Sequence, residues 1–217
     1  MNDIEQIKSN RLLLVEGNDE KWFCIHLLET IGLNENSDNL DIQVIDIQGN
    51  QNFGFALNTI TKFPNFDDVT TIGFVRDAEK NPAESSYKST CATIKKYISN
   101  YPIPEIGKVK MENGFKCGIF IMPNNETPGM LENLCLESVK TNSLYDKAEN
   151  YVEQAETLLT KTDKVKYNKP KAMVQTYLAG QSEIVNTLAN AAKKKIWDFS
   201  SPAFSDFGTF LKNLVED

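Results

Sequence analysis

Two kinds of segment alternate along the chain as far as Pro123. RLLLVEG (11–17) is a continuous apolar run closed by glycine, short enough for a buried strand. The next stretch, DEKWFCIHLLETIGL, carries Trp22, Phe23, Ile25, Leu27, Leu28 and Ile31 at spacings that predict an apolar helical face. DIQVIDIQG (41–49) alternates and is rich in Ile and Val, which predicts a second strand; FGFALNTITKF then predicts a helix that the proline of FPNF stops. VTTIGFVRDAE (69–79) predicts a third strand running into an acidic turn, and Pro82 opens a helix through about Tyr97. Beyond a proline-rich, loop-like stretch around YPIPEIGK, KCGIFIMP (116–123) reads as a fourth strand ended by proline.

Strands that alternate with helices favour parallel pairing, because each right-handed crossover lays a helix on the sheet. The expected fold class is therefore α/β, with a mostly parallel central sheet flanked by helices. From about Thr127 the pattern turns helical through PGMLENLCLESV, LYDKAENYVEQAETLLTK and KAMVQTYLAG, and it ends in the aromatic tail WDFSSPAFSDFGTFLKNLVED. This division predicts an α/β core over 1–140 and a helical C-terminal extension over 141–217 packed on it. Phe199, Phe204, Phe207 and Phe210 suit either a stacking platform for bases or an anchor tying the terminus to the core, and core packing is the favoured reading.

Composition narrows the chemistry. With 217 residues, 41% of them hydrophobic and 24% charged, the chain matches ordinary globular domains and is long enough to bury a sizeable core. No apolar run approaches the roughly 20 residues needed to cross a bilayer, and the start, MNDIEQIKSN, is polar and acidic, so a cytoplasmic protein without a membrane partner is expected. Cys24, Cys91, Cys117 and Cys135 are far apart and lack C-x-x-C spacing, so they are expected to be reduced and buried. The single histidine, His26, leaves neither a Cys/His zinc set nor a Ser-His-Asp triad; it is expected to be a structural residue of the first helix. Any metal must be held by oxygen. The net charge of −7 opposes broad adhesion to nucleic acid, although basic residues gather in KTDKVKYNKPK (161–171) and at Lys193, Lys194 and Lys195. Such runs are usually solvated helix faces.

Ligands of open parallel sheets bind outside the carboxyl ends of the strands, and here the residues at those ends are acidic. The first strand delivers Glu16 in V-E-G-N-D-E, with Asp19 and Glu20 on the next helical turn; the third delivers Asp77 and Glu79 in V-R-D-A-E. Two like unit charges about 4 Å apart repel by roughly 4 kcal/mol at an effective dielectric of 20, so a proton or a cation is expected between such groups. Taken singly, each acid could cap a helix or complement its dipole. Glu16 and Asp77 together, each ending an apolar strand, favour a metal, and Mg²⁺, with Mn²⁺ as a substitute, suits carboxylates working beside phosphate.

V-E-G-N-D-E after the first strand and D-A-E after the third resemble the motifs of the Toprim domain shared by topoisomerases, primases and several nucleases. The resemblance implies that Glu16 is the family glutamate, an acid/base or metal-associated residue, and that Asp77 and Glu79 are the metal-binding pair. Glu79 stands where the family usually has Asp. The wider pattern is similar to the Toprim half of the nucleases named for overcoming lysogenisation defect, which implies further metal-associated roles for Glu20 and for Glu132 in T-P-G-M-L-E-N-L. It also implies a transition-state-stabilising cation, for which Lys171 and Lys169 in N-K-P-K-A compete. The ATPase half of those nucleases has no counterpart, since G-x-x-x-x-G-K-[ST] does not occur. The expectation is a Mg²⁺-dependent nuclease of DNA or RNA, with Asp19 as a possible ligand through water. The alternatives are a noncatalytic Toprim module, or a subunit partnered with a separately encoded ATPase; a primase is disfavoured by the lack of a zinc module.

Overall fold

The computed structural model describes residues 5–34, 40–49 and 53–216, with the side chain of Val165 excepted. Residues 1–4 of the polar start and Asp217 of the aromatic tail lie outside the described residues. The alternating segments fold as β1 (Arg11–Val15), α1 (Asn18–Thr30), β2 (Gln43–Asp46), α2 (Phe53–Ile60), β3 (Thr71–Asp77), α3 (Ala83–Tyr97), β4 (Val109–Glu112) and β5 (Phe115–Met122). The helical part follows as α4 (Leu131–Ser138), α5 (Ser143–Thr157), α6 (Lys161–Lys166), α7 (Lys169–Ala179), α8 (Leu188–Lys193), a 3₁₀ turn (Pro202–Phe204) and α9 (Ser205–Val215).

The sheet order is β2-β1-β3-β5-β4. All pairings are parallel except the antiparallel edge pair β4–β5. The chain is thus a mixed α/β protein with a five-stranded, mostly parallel central sheet flanked by helices and a helical C-terminal part. β4, like the short α6 and α8, is an element that the hydrophobic pattern does not single out: its VKME is largely exposed, so it carries no apolar signature and relies on the β5 ladder. The strand order reverses between β1 and β3. Chain direction along the sheet switches there, and in open α/β sheets ligands bind outside the carboxyl ends of the strands at such a switch.

Alternation along the strands feeds a core on each face. Leu12, Leu14, Ile72, Phe74, Ile119 and Ile121 pack with α2 and α3, whereas Leu13, Val15, Val75, Phe120 and Met122 pack with α1, α4, α9 and other C-terminal helices. Gly73 of β3 and Gly118 of β5 let α9 approach closely: a Cβ at Gly73 would lie 2.5 Å from a Leu214 methyl, and one at Gly118 would lie 2.9 Å from the Phe210 ring. Phe204, Phe207 and Phe210 are buried and Phe199 packs against them, so the aromatic tail is core, as its composition predicts. The four cysteines are free and buried, again as expected. Among the described residues, no helix is long and apolar enough to cross a membrane.

Candidate metal centre

Glu16 lies one residue beyond β1 and Asp77 ends β3, on either side of the switch in strand order. With Glu79 they bring carboxylate oxygens within 4.8 Å of one another. Two of the three are buried. Such proximity of like charges needs local organisation, and each residue has its own.

Glu16 is held by Arg76. The guanidinium is buried in β3 and donates from Nε to Glu16 Oε1 at 3.2 Å, while the backbone N–H of Asp77 donates to the same oxygen at 3.3 Å. Arg76 is itself fixed by donation from Nη1 to Thr90 Oγ1 at 3.3 Å and by the Phe53 ring, whose centroid lies 4.7 Å from the guanidinium carbon. Sequence reasoning missed this residue. Its signal was present in V-R-D-A-E: an arginine inside an apolar strand must find an anion when that strand is buried. Asp77 points its Oδ1 at the start of α4, where the N–H of Leu131 donates at 3.2 Å; the positive end of the helix favours the carboxylate. Glu79 is exposed and sits at φ 59°, a left-handed conformation that side chains seldom adopt. Paired backbone bonds with Gly129, each 2.8 Å, hold it there.

A second acidic group adjoins the first. Glu132, buried in the first turn of α4, accepts from Lys171 Nζ at 2.6 Å through Oε1, and its buried Oε2 has no hydrogen-bond partner. The caps explain why Lys171 reaches it. Asn168 Oδ1 accepts from the backbone N–H of Lys171 at 3.1 Å and so starts α7, while its Nδ2 contacts Met130 Sδ beside α4. Lys169, the competing residue, points away and pairs with Glu153 at 3.1 Å and Glu156 at 3.8 Å. Glu20 lies in the same electrostatic neighbourhood as Glu16 and Glu132. Asp19 stands in the field of Glu132 and Lys171, and the backbone amides of Ala189 and Leu188 at the start of α8 also favour its carboxylate. His26, expected to be structural, pairs with Glu29 at 3.0 Å on the surface of α1.

Electrostatics follow from this crowding. Burial pushes the Asp77 carboxyl well above its ordinary range, and Glu16, Glu20, Glu132 and Glu79 push it further. Burial also raises Glu16, against the opposing pull of Arg76, and raises Glu20 to about 7 with help from Glu132 and Glu16. For Lys171 burial alone would lower the ammonium's pKa, but the bond to Glu132 and the charges of Glu132, Glu20 and Asp77 outweigh it and raise it. Carboxylates forced toward the protonated form, beside a buried oxygen lacking a donor, fit a hard divalent cation: the donor set is all oxygen, and a positive charge would oppose the upward shifts of these carboxyls.

Among curated proteins none matches this sequence. A solved structure, the C-terminal region of the OLD protein of Xanthomonas campestris pv. campestris, is 12% identical, with 96% of this chain and 95% of that one covered, at a TM-score of 0.47. A family model matches residues 10–216, nearly the whole chain, and the protein therefore belongs to the family described as "Protein of unknown function (DUF3226)".

Proposed function

We propose that the protein is a Toprim-like, Mg²⁺-dependent phosphodiester hydrolase acting on nucleic acid. One observation carries the reading: Glu16, Asp77 and Glu79 offer oxygens within 4.8 Å of one another where the order of a parallel sheet reverses. These three would hold the metal, with Glu20 and Glu132 available to complete or extend the coordination on the side of α4. Mg²⁺ or Mn²⁺ bound there supplies a water made acidic enough to attack at neutral pH and offsets charge on the phosphodiester oxygens.

The chain's own residues have separable tasks. Arg76 and the Asp77 N–H fix Glu16 Oε1, which leaves the remaining carboxylate lone pairs for a metal. The Leu131 N–H fixes Asp77 in the same way. Lys171, partly exposed with its ammonium on Glu132, is placed to meet a phosphate entering the centre and to stabilise negative charge building on its oxygens. Lys169 is tied to α5 by its own ion pairs and has no part in this task.

The test is cleavage of labelled single- and double-stranded DNA and RNA with Mg²⁺ or Mn²⁺, run beside Glu16→Gln and Asp77→Asn. Metal-dependent cleavage by the wild type that both variants lose is the expected result. Full activity in either variant would remove its assignment. No cleavage of any substrate would turn the reading to a noncatalytic module or to a subunit that needs a separate ATPase.

A further inference from the structure

The helix that follows Glu16 presents an unusual outer face. Phe23, Cys24, Leu27 and Leu28 of α1 are buried, while Trp22, on the opposite side of the helix, is 44% exposed. His26, one turn on, stacks on it with ring centroids 6.3 Å apart and planes 29° apart, an arrangement that extends the aromatic surface without covering it. The two rings form one wall of a cavity of about 370 Å³ between α1 and α8, which Asn18 and Asp19 close at one end and Asn190 and Lys193 on the α8 side.

We infer that this cavity seats an unpaired nucleobase of the strand whose phosphodiester lies at the carboxylate centre, with Trp22 as the stacking platform and Lys193 as the contact to a flanking phosphate. The inference rests on the nuclease reading above and names the part of the substrate that the centre itself does not grip. Position comes first: Asn18 and Asp19 follow Glu16 by two and three residues, so the cavity opens beside the centre. The chemistry of the walls comes second. A half-exposed indole, with Lys21 Nζ 5.8 Å from its ring centroid, can stack on any base, the amides of Asn18 and Asn190 offer both donors and acceptors to a base edge, and Lys193 is an exposed cation at the rim, next to Lys194, which pairs with Glu183. The one acid in the lining, Asp19, has the backbone amides of Ala189 and Leu188 and the ammonium of Lys171 to offset its charge. An aliphatic partner would leave these amides and the ammonium unmatched.

The chain has a built-in reporter, since its other tryptophan, Trp197, is 1% exposed and shielded in the core. Full-length protein is titrated in Ca²⁺ with a fluorescein-labelled single-stranded oligoadenylate dodecamer, as DNA and as RNA, and with an abasic dodecamer of equal charge. Binding is read by anisotropy, and Trp22 emission is followed with the unlabelled strands. The expected result is quenching of Trp22 by the base-bearing strand, with affinity about tenfold weaker for Trp22→Ala or for the abasic strand and largely restored in Trp22→Phe. Equal affinity of Trp22→Ala and wild type, or of the abasic and base-bearing strands, would overturn the inference while metal-dependent cleavage by the same wild-type protein left the nuclease reading standing. Failure of the wild type to bind or cleave any strand would overturn both.

Discussion

Replacing Asp77 with asparagine should make the metal-free protein more stable and deprive it of stabilisation by Mg²⁺. The substitution keeps the side-chain shape, and the amide oxygen can still accept from the Leu131 N–H, so what it removes is a carboxyl that must either carry a repelled charge or take up a proton at comparable cost. In the wild type the oxygens of Glu16, Asp77 and Glu79 lie within 4.8 Å of one another. Two unit charges at about that separation repel by ~3.5 kcal/mol at an effective dielectric of about 20. Arg76 offsets part of the Glu16 charge and water screens the exposed Glu79, which leaves a net gain of about 2 kcal/mol on neutralising Asp77. For a chain of this size that gain corresponds to a rise in Tm of about 4–8 °C. Mg²⁺ at about 100 times its Kd should stabilise the wild type by ~2.7 kcal/mol through mass action and the variant by much less. Thermal unfolding of both proteins in EDTA and in Mg²⁺ measures the two quantities. A variant less stable than the wild type in EDTA, or one that gains as much from Mg²⁺, would refute the reasoning.

The remaining predictions concern the groups around Asp77. Arg76→Leu should leave Glu16 buried without its partner and cost about 3–5 kcal/mol, read as a lower denaturant midpoint; a change below ~1 kcal/mol would show that Arg76 does not hold Glu16. Lys171→Met should lower metal-dependent cleavage at least about tenfold while Lys169→Met leaves it unchanged, and equal losses in the two variants would contradict the division of labour between them. The pH dependence has a definite sign. Glu16, Asp77 and Glu20, the last at about 7, bind protons more tightly in the folded than in the unfolded chain, so their contribution to metal-free stability is greatest below the ordinary carboxylate range and falls as pH rises toward 7. Unfolding in EDTA from pH 5 to 8 should show this decline, with a shallower slope in Glu20→Gln; an unchanged slope would remove Glu20 from the coupled group.

What the sequence made legible, it did through burial. RLLLV, QVID, TIGFVRD and FKCGIFIM lie in a sheet covered on both faces, so most positions are apolar and the acids that follow β1 and end β3 stand out. β4 was illegible for the converse reason: an exposed edge strand has no face to bury. Lys169 and Lys171 could not be separated because both sit in the first turn of α7, and only the docking of that helix on α4 through Asn168 decides which of them reaches Glu132. Trp22 fitted a generic apolar face in the sequence, but a helix lying against a sheet buries one side, and its position opposite Phe23, Leu27 and Leu28 turned it outward. Arg76 was passed over because its partner, Glu16, is distant in sequence.

The most direct measurement is Mn²⁺ binding followed by electron paramagnetic resonance, with wild-type protein and Asp77→Asn titrated side by side. Loss of the free-ion signal on adding wild-type protein, restored when Mg²⁺ competes and much weaker with Asp77→Asn, is the result that a carboxylate metal centre predicts. A free-ion signal that wild-type protein leaves undiminished, or one that Asp77→Asn reduces equally, would contradict it.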